Sequence, residues 1–298
     1  MNYDSVSIIA AKWGISERSV RNYCAAGKVP GAVIEGKTWK IPSDAVKPGR
    51  KKRDGKIPSD ILLRLKAEKE SGINGGIYHK VQIELTYNSN HIEGSRLTHD
   101  QTRYIFETNT IGVQETAVYV DDIVETANHF KCVDQIIELA NYSLSESLIK
   151  QLHFILKTGT SDSRKPWFAV GDYKRAENEV GGKETTMPEN VAKEMKQLLK
   201  KYNEKKVKTL EEIIEFHYEF EKIHPFQDGN GRIGRLIMFK ECLRNGITPF
   251  IIEDDIKEFY YRGLKEWKNE RGYLIDTCLS AQDRFKVYMD YFGLEYND

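Results

Sequence analysis

The stretch from His224 to Arg235 reads HPFQDGNGRIGR and concentrates residue types that bind phosphate. Gly229 and Gly231 let the main chain pass close to an anion, and their amides can donate hydrogen bonds to phosphoryl oxygens together with those of a following helix. Arg232 and Arg235 are three residues apart, so on a helix they share a face and offer forked donors. The stretch therefore predicts a phosphate site.

Two side chains of this stretch add chemistry to the predicted phosphate site. Asp228 is a carboxylate suited to a hard cation, because Mg²⁺ that bridges phosphates usually takes one or two carboxylates. His224 can act as a general base near neutral pH. Phe226 is expected to anchor the loop in the core rather than to take part in chemistry.

Two helices are predicted to position the loop. Residues 209–212 open like a capping box, and apolar residues follow at helical spacing, so a helix should deliver His224 at its end. Pro225 stops this helix. Residues 231–245 read as a second helix, with Gly246 beyond its end. The predicted arrangement is helix, anion loop, helix.

The loop resembles the signature of the Fic (filamentation induced by cAMP) family, HPFx[DE]GNGRxxR, at every specified position, with Gln227 in a variable place. A plain helix connection with a Gly-Asn turn would leave two arginines and an aspartate unexplained. The resemblance implies a mainly α, Fic-type helical bundle that uses ATP and Mg²⁺. Gly231 favours the nucleotidyl-transferring majority of the family over the Doc-like kinases, whose loops are usually altered toward Lys.

The resemblance also implies roles for single residues. His224 would take the proton from a Ser, Thr or Tyr hydroxyl of a target protein, and Asp228 would hold Mg²⁺. Tyr261, in a closing helix, matches a nucleobase contact better than Tyr260, although core packing is an equal alternative for both. The loop residues implied to bind nucleotide are Gly229, Asn230, Gly231, Arg232 and Arg235.

A second motif lies upstream, in the sequence NSNHIEGSRLT. Ser89, Glu93 and Gly94 fit the pattern [ST]xxxE[GN], which resembles the inhibitory helix of Fic proteins. In the family this glutamate pairs with the second loop arginine, here Arg235, and blocks the seat of the γ-phosphate. The pattern is short, and Glu93 could simply lie near a helix end, but its place upstream of a full loop favours regulation.

Residues 170–185 contain three glycines around Tyr173 and Val180, which predicts a β-hairpin. This hairpin resembles the flap of Fic proteins, which holds an extended target segment beside the loop by main-chain pairing. We expect the flap over residues 173–183, with docking residues Tyr173, Lys174 and Arg175. An ordinary surface hairpin is the alternative.

Composition bounds the rest of the prediction. The chain of 298 residues is 40% hydrophobic, enough for one large or two moderate domains. No apolar run reaches the length of a membrane span and the amino terminus lacks a signal sequence, so a cytoplasmic location is expected, without membrane partners. The four cysteines lack CxxC spacing, which predicts buried thiols rather than a disulfide framework or a zinc site.

Charge is unevenly distributed along the chain. Residues 1–56 carry 12 Lys and Arg against five Asp and Glu, a net charge of +7, whereas the remainder carries 33 basic and 40 acidic residues. Residues 7–13 and 17–25 read as two short helices about Gly14, and residues 33–41 alternate like a hairpin or wing. This segment resembles the helix-turn-helix modules of excisionase and MerR-like proteins.

That resemblance implies DNA binding. Base-edge contacts would come from Arg18, Arg21 or Asn22, and a phosphate contact from Lys37 on the wing. Such small modules also serve as protein-docking units, and useful affinity for DNA would need a dimer or a second surface.

The predicted plan has three parts: a winged helix-turn-helix domain over 1–47, a basic linker over 48–60, and a Fic domain over 61–298. The inhibitory helix should occupy about 80–95 and the catalytic core about 96–298. Further helices are expected at 61–69, 100–107, 113–139, 145–156, 188–202, 256–267 and 273–288.

The sequence predicts an adenylyltransferase that transfers AMP to a protein hydroxyl, is inhibited by Glu93 and carries a DNA-binding module. The target is open and self-modification or a homodimer is possible. Three alternatives stay open: another nucleotide such as UMP, removal of AMP with Glu93 orienting a water, and a DNA-binding regulator that only senses nucleotide.

Overall fold

The computed structural model describes residues 2–15, 17–25, 27–36, 38–47, 60–112, 117–180 and 182–296. The chain divides into two compact units, Met1–Ile57 and Pro58–Asp298, and their boundary falls within the predicted linker. Among the residues described, no helix is both long and apolar enough to cross a membrane.

The smaller unit combines two helices with a three-stranded antiparallel sheet. Its elements are β1 (Tyr3–Ser5), α1 (Val6–Trp13), α2 (Glu17–Ala25), β2 (Val33–Glu35) and β3 (Thr38–Pro42), and the strand order is β1-β3-β2. Ser5 caps α1 through its side chain, and Gly14 ends it in the left-handed conformation. The predicted helices and hairpin are present, whereas the sequence pattern does not predict β1. The core contains Val6, Ile9, Trp13, Val20, Cys24, Val29 and Ile41.

The larger unit is mainly α. Its helices are α3 (Ile61–Ser71), α4 (Ile77–Ile92), α5 (His99–Thr108), α6 (Val120–Glu138), α7 (Glu146–Lys157), α8 (Pro188–Glu204), α9 (Leu210–Ile223), α10 (Asn230–Asn245), α11 (Lys257–Glu266) and α12 (Gly272–Tyr291). A short hairpin, β4 (Glu179–Val180) and β5 (Lys183–Glu184), lies between α7 and α8.

Helices α9 and α10 carry the loop at their junction. Thr209 and Glu212 form the predicted capping box at the start of α9. His224 ends α9 in the left-handed conformation, and Gly246 ends α10 in the same way. Buried side chains cover α10 almost all round, because α4, α6, α7 and α9 all pack against it. The loop is therefore fixed to the centre of the helical bundle.

The core of the larger unit is formed mainly by these five helices. It includes Val81, Leu85, Val133, Ile137, Ile149, Leu152, Phe220, Ile233 and Leu236. All four cysteines of the chain are buried free thiols, which confirms the prediction from their spacing.

Two predicted elements differ from the structure. The helix predicted over 113–139 starts only at Val120, because Tyr119 before it has an extended backbone; residues 113–116 lie outside the described part of the chain. The hairpin predicted over 170–185 is confined to strands of two residues each. Residues 170–178 instead form turns, and the main-chain N–H of Lys174 donates to Pro225 O in the loop (2.9 Å) rather than to a partner strand.

Helices α11 and α12 approach closely at Gly263. A Cβ added to Gly263 would lie 2.7 Å from Leu274 Cα and 2.8 Å from its N. We expect Gly263→Ala to lower the free energy of unfolding by about 1–3 kcal/mol, because main-chain atoms of α12 would have to move. Gly272→Ala is the matched control, since its Cβ would meet only the flexible Glu270 carboxylate within 3 Å. Urea unfolding curves that coincide for the two variants would contradict this expectation.

Candidate functional site

His224 occupies a position from which it can accept a proton. Its left-handed backbone (φ 52°) turns the chain out of α9 and into the loop. Ring atom Nδ1 lies 3.3 Å from the main-chain oxygen of Glu221. Burial lowers the pKa of His224 to about 4, and the nearby Lys174 ammonium acts in the same direction. The imidazole is therefore neutral near pH 7 and can serve as a base.

The loop after His224 is held by its own side chains and by α7. Phe226 is fully buried, as predicted, and His153 of α7 stacks on its ring at 4.0 Å between centroids. The Asn230 side chain accepts from Phe226 N–H and donates to Phe226 O, both at 2.8 Å. Asn178 donates a further bond to Phe226 O (3.0 Å). The Asn230 side chain therefore holds the loop at Phe226. Of Asn230, only the main-chain N–H remains available to an anion.

The amino terminus of α10 offers main-chain donors. Gly229 precedes the helix in the left-handed conformation (φ 81°), and no side chain caps it. The first N–H groups of a helix have no partner within it, so they can bind an anion here. At Gly231 a Cβ would collide with the Glu93 carboxylate. The predicted glycine requirement is thus a matter of space as well as backbone conformation.

Four charged side chains form a cluster beside this helix terminus. Arg232 is buried and pairs with Glu125 of α6 and with Asp228 Oδ2, the latter at 3.2 Å. Lys157 of α7 is also buried and pairs with Glu125 and with Asp228 Oδ2, the latter at 2.6 Å. The two cations therefore share two carboxylates.

The cluster favours the charged forms of Asp228, Lys157 and Arg232. Burial by itself would raise the pKa of Asp228, but the charges of Arg232 and Lys157 outweigh it and hold that pKa well below its usual range. Burial would lower the pKa values of Lys157 and Arg232, yet the facing carboxylates raise both. A bound phosphate would meet two cations that are already in place.

Arg235 is held by the upstream motif. Its guanidinium is buried and donates from Nε to Ser89 Oγ (3.0 Å) and from Nη2 to the main-chain oxygen of Ser89 (2.9 Å). It also pairs with Glu93 Oε1 at 2.7 Å. The pairing implied for Glu93 and Arg235 is therefore present.

Helix α4 presents Glu93 to the loop from its carboxyl end. Glu93 is the C-cap residue of α4, and Gly94 follows with φ 94°. Polar contacts with α6 fix the inner face of α4: Gln82 with Asp134 (2.9 Å), Thr86 with His129 (2.9 Å) and Asn90 with Thr126 (3.3 Å). The helix that carries the motif is thereby docked on the same α6 that supplies Glu125.

The two candidate nucleobase contacts behave differently. Tyr260 is buried and its hydroxyl contacts His217 Nε2 (2.7 Å), so it belongs to the core and cannot flank a base. Tyr261 is 42% exposed, and its hydroxyl donates to the main-chain oxygen of Ile92 (3.2 Å) beside Glu93. Tyr261 is thus next to the loop and accessible to a ligand.

The predicted docking residues differ in the exposure of their side chains, while docking of a target by main-chain pairing stays a prediction. Tyr173 is buried with its ring against Lys150 and Phe226. Lys174 is also buried, and its ammonium donates to Asn178 and Thr185. Their side chains are therefore unavailable to a docked target, whereas Arg175 is exposed. Burial lowers the pKa of Lys174 to about 8, because its two acceptors are uncharged.

The predicted DNA contacts lie in the smaller unit. Arg21 is exposed on α2 and pairs with Glu17 (2.6 Å), and Asn22 is exposed beside it. Lys37 and the side chain of Arg18 lie outside the described part of the chain.

Sequence reasoning missed Glu125, Lys157 and Glu221. Lys157 gave a usable signal, because with His153 it places polar groups four residues apart on the apolar face of α7. Glu125 gave none, since a carboxylate within an amphipathic helix normally indicates a solvent-exposed face.

Comparison with known proteins relates the part of the chain that contains the loop to a known family. Residues 143–242 match the Fic/DOC family. The chain is 30% identical over 216 residues to protein adenylyltransferase Fic of Drosophila erecta. The aligned region covers 70% of this chain and 39% of that protein. The chain is 31% identical over 188 residues to protein adenylyltransferase Fic of Drosophila grimshawi, covering 60% and 36%. The chain thus spans well under half the length of these curated relatives.

Solved structures show the same fold. A Fic domain containing signaling protein from Bacteroides thetaiotaomicron aligns with a TM-score of 0.63 at 24% identity, over 80% of this chain and 98% of that one. Fic-1 from C. elegans aligns with a TM-score of 0.58 at 18% identity, over 78% and 72%. At these identities the likeness concerns the fold alone.

The buried ionisable groups predict how stability depends on pH. Burial lowers the pKa values of His129, His153 and His217 to about 3, whereas it raises that of Glu221 to about 8. Between about pH 4.5 and 6.5 the unfolded chain therefore binds up to four more protons, on these three histidines and on His224 with its pKa of about 4, and up to one fewer on Glu221. Stability should rise with pH in this window, by about 1.4 kcal/mol per pH unit for each net proton. Urea unfolding followed by circular dichroism measures this slope, and a flat or falling profile would contradict the assignment.

Proposed function

The chain carries a Fic/DOC family domain, and we propose from this premise that it is a protein adenylyltransferase, which transfers AMP from ATP to a hydroxyl of a protein. The observation that carries the proposal is the pairing of an uncapped helix terminus with a neutral, buried His224. The helix terminus would bind phosphate and His224 would accept a proton, and nucleotidyl transfer to a hydroxyl needs both functions.

The loop supports binding of the nucleotide. The α-phosphate would lie over the main-chain amides of Gly229, Asn230 and Gly231. The β-phosphate would lie near Arg232, whose charge is already placed by Glu125 and Asp228. Because these donors are fixed before the ligand arrives, little reorganisation is needed when charge develops in the transition state. Tyr261 is placed to contact the base.

A magnesium ion fits the carboxylate of Asp228. Lys157 and Arg232 both contact Oδ2, so Oδ1 is the oxygen that a cation would take. Among the described residues no group of three or more His, Cys, Asp or Glu could hold a metal. Mg²⁺ that bridges phosphates usually takes one or two carboxylates and completes its coordination with phosphate oxygens and water. When bound, Mg²⁺ would neutralise charge on the phosphates and the leaving pyrophosphate.

His224 would act as the general base. The proton of the target hydroxyl passes to the imidazole while the oxygen attacks the α-phosphorus and the bond to pyrophosphate breaks. If Nδ1–H donates to the Glu221 carbonyl, then Nε2 carries the lone pair that receives the proton.

Glu93 would inhibit this reaction. Its carboxylate occupies Arg235, and it lies against Gly231 at the start of α10. A γ-phosphate that needs Arg235 would therefore compete with an ion pair already formed and face a like charge. Glu93 would have to move before ATP could bind productively.

We expect Glu93→Gly to raise AMP transfer by about tenfold or more, because it frees Arg235 and removes the opposing charge. Intact mass after incubation with ATP and Mg²⁺ would show one added AMP per modified site, on this chain or on a supplied target. Adding His224→Ala to Glu93→Gly should abolish the gain.

A measurement of ATP binding distinguishes the role of the loop, which would bind the nucleotide, from that of His224, which would accept the proton. The Glu93→Gly/His224→Ala variant should still bind ATP, since the loop amides and Arg232 remain. Binding without transfer in Glu93→Gly itself would favour the nucleotide-sensing alternative, and gain of a different mass with UTP would favour another nucleotide. Loss of ATP binding in the folded double variant would contradict the division of roles.

The smaller unit would bind DNA. Its support is the exposed, polar face of α2, which carries Arg21 and Asn22, together with the net charge of +7 over residues 1–56. The Glu17 partner of Arg21 is exposed, so exchanging it for a phosphate costs little.

Fluorescence anisotropy with a labelled duplex tests DNA binding. We expect binding that weakens steeply as salt rises, and about tenfold weaker binding for Arg21→Glu. Lys201→Glu, an equal charge change on exposed α8, is the matched control. Equal affinities for the two variants would exclude Arg21 from the interface, and no binding at low salt would reject a DNA partner.

A further inference from the structure

Glu221 lies directly behind the proposed base without a role in the loop signature. One carboxyl oxygen, Oε2, lies 3.9 Å from His224 Nδ1, on the same side as the Glu221 main-chain oxygen that Nδ1 faces. The other oxygen, Oε1, is buried and has no hydrogen-bond partner among the described residues. The side chain is only 13% exposed. A buried carboxyl oxygen without a hydrogen bond lowers the stability of the folded state, so its presence here needs an explanation.

The surroundings of Glu221 reserve space for it. A Cβ added to Gly234 of α10 would lie 2.6 Å from Oε1 and 2.6 Å from Cε1 of His217, so glycine leaves room there for both side chains. The titratable or charged groups around Glu221 are His217 and His224 on α9, Arg235 on α10, Glu93 after α4, and Tyr260 and Tyr261 on α11.

We propose that Glu221 is a positioning residue for His224 and that Glu93 controls the charge of Glu221. The inference rests on the proposed function, because it concerns the base of that reaction. A carboxylate beside Nδ1 keeps the proton on that nitrogen, so Nε2 remains the acceptor, and it stabilises the imidazolium that forms on proton transfer.

The carboxylates of Glu93 and Glu221 lie close enough to affect each other's charge, because they face Gly231 and Gly234, neighbouring positions one turn apart on α10. Burial, reinforced by the Glu93 carboxylate, raises the pKa of Glu221 to about 8, and Arg235 opposes this only in part. Glu221 is therefore neutral near pH 7 while Glu93 is in place. In the protein without nucleotide, withdrawal of Glu93 removes the repelling charge and leaves Arg235 without an ionic partner, and both changes favour ionised Glu221. Glu93 thus weakens the base at the same time as it occupies the arginine.

Titration of His224 by nitrogen-15 NMR tests this control in two pairs of proteins. His224→Ala identifies the His224 signal among the seven histidines. With Glu93 present, Glu221→Gln should leave the pKa of His224 unchanged, because a neutral group replaces a neutral group. With Glu93→Gly, adding Glu221→Gln should lower the pKa of His224 by about 1 to 3 pH units, because a carboxylate is lost.

Each other outcome overturns part of the proposal. An equal fall in both pairs would show that Glu221 is charged regardless of Glu93. No fall in either pair, even with reduced thermal stability, would leave Glu221 a structural residue only. Glu219→Gln in the Glu93→Gly background is the matched control, since Glu219 lies on α9 but pairs with Lys222 at the surface. It should leave the His224 titration unchanged.

Kinetics give a second readout in the Glu93→Gly background. Adding Glu221→Gln should lower kcat about tenfold near pH 7 and leave KM for ATP unchanged, because the carboxylate acts on proton transfer. An unchanged kcat, or a change confined to KM, would contradict the positioning role. The titration needs no turnover, so failure to detect AMP transfer would count against the proposed function and leave the test of Glu221 intact.

Discussion

Buried cations at the start of α10 must have anionic partners, and much of the larger unit is arranged to supply them. Lys157, Arg232 and Arg235 are all withdrawn from water. An unpaired buried cation costs several kcal/mol, so a fold that places three of them beside one helix amino terminus needs carboxylates there when no anion is bound. Glu93, Glu125 and Asp228 meet that need, although a phosphate site would otherwise avoid negative charge.

This requirement explains which helices surround the loop. Helix α6 brings Glu125, α7 brings Lys157, and α4 brings Glu93, each from a different part of the chain. The same contacts have a second consequence for a ligand. A phosphate bound here would replace the carboxylates as the partner of these cations. Its affinity would then reflect the difference between two paired states rather than the full strength of the new contacts.

The loop and its flanking helices were predictable because their signals are local. A capping box, a proline and glycines define α9, the turn at His224 and α10 within a few residues of sequence. The pairing of Glu93 with Arg235 came only from family resemblance, since the two residues are 142 positions apart. Glu125 meets Arg232 across 107 positions and Lys157 meets Asp228 across 71, and no local sequence pattern indicates such contacts. The burial of the Tyr173 and Lys174 side chains has no local signal for the same reason, because only tertiary packing against Lys150 and the loop buries them.

The position of Glu93 at the very end of α4 determines how fast its carboxylate can leave Arg235. Its carboxylate can leave Arg235 by rotation of a side chain and a small change at the helix end, next to Gly94. The 16-residue helix itself, fixed by its contacts with α6, need not undock. Side-chain and helix-end motions take place in picoseconds to microseconds, whereas subglobal opening is far slower. If the unmutated protein has basal activity, every molecule would then contribute to it, because each would break and re-form the Glu93–Arg235 pair many times within one catalytic cycle. The activity would not come from a few molecules that keep this pair broken for many turnovers.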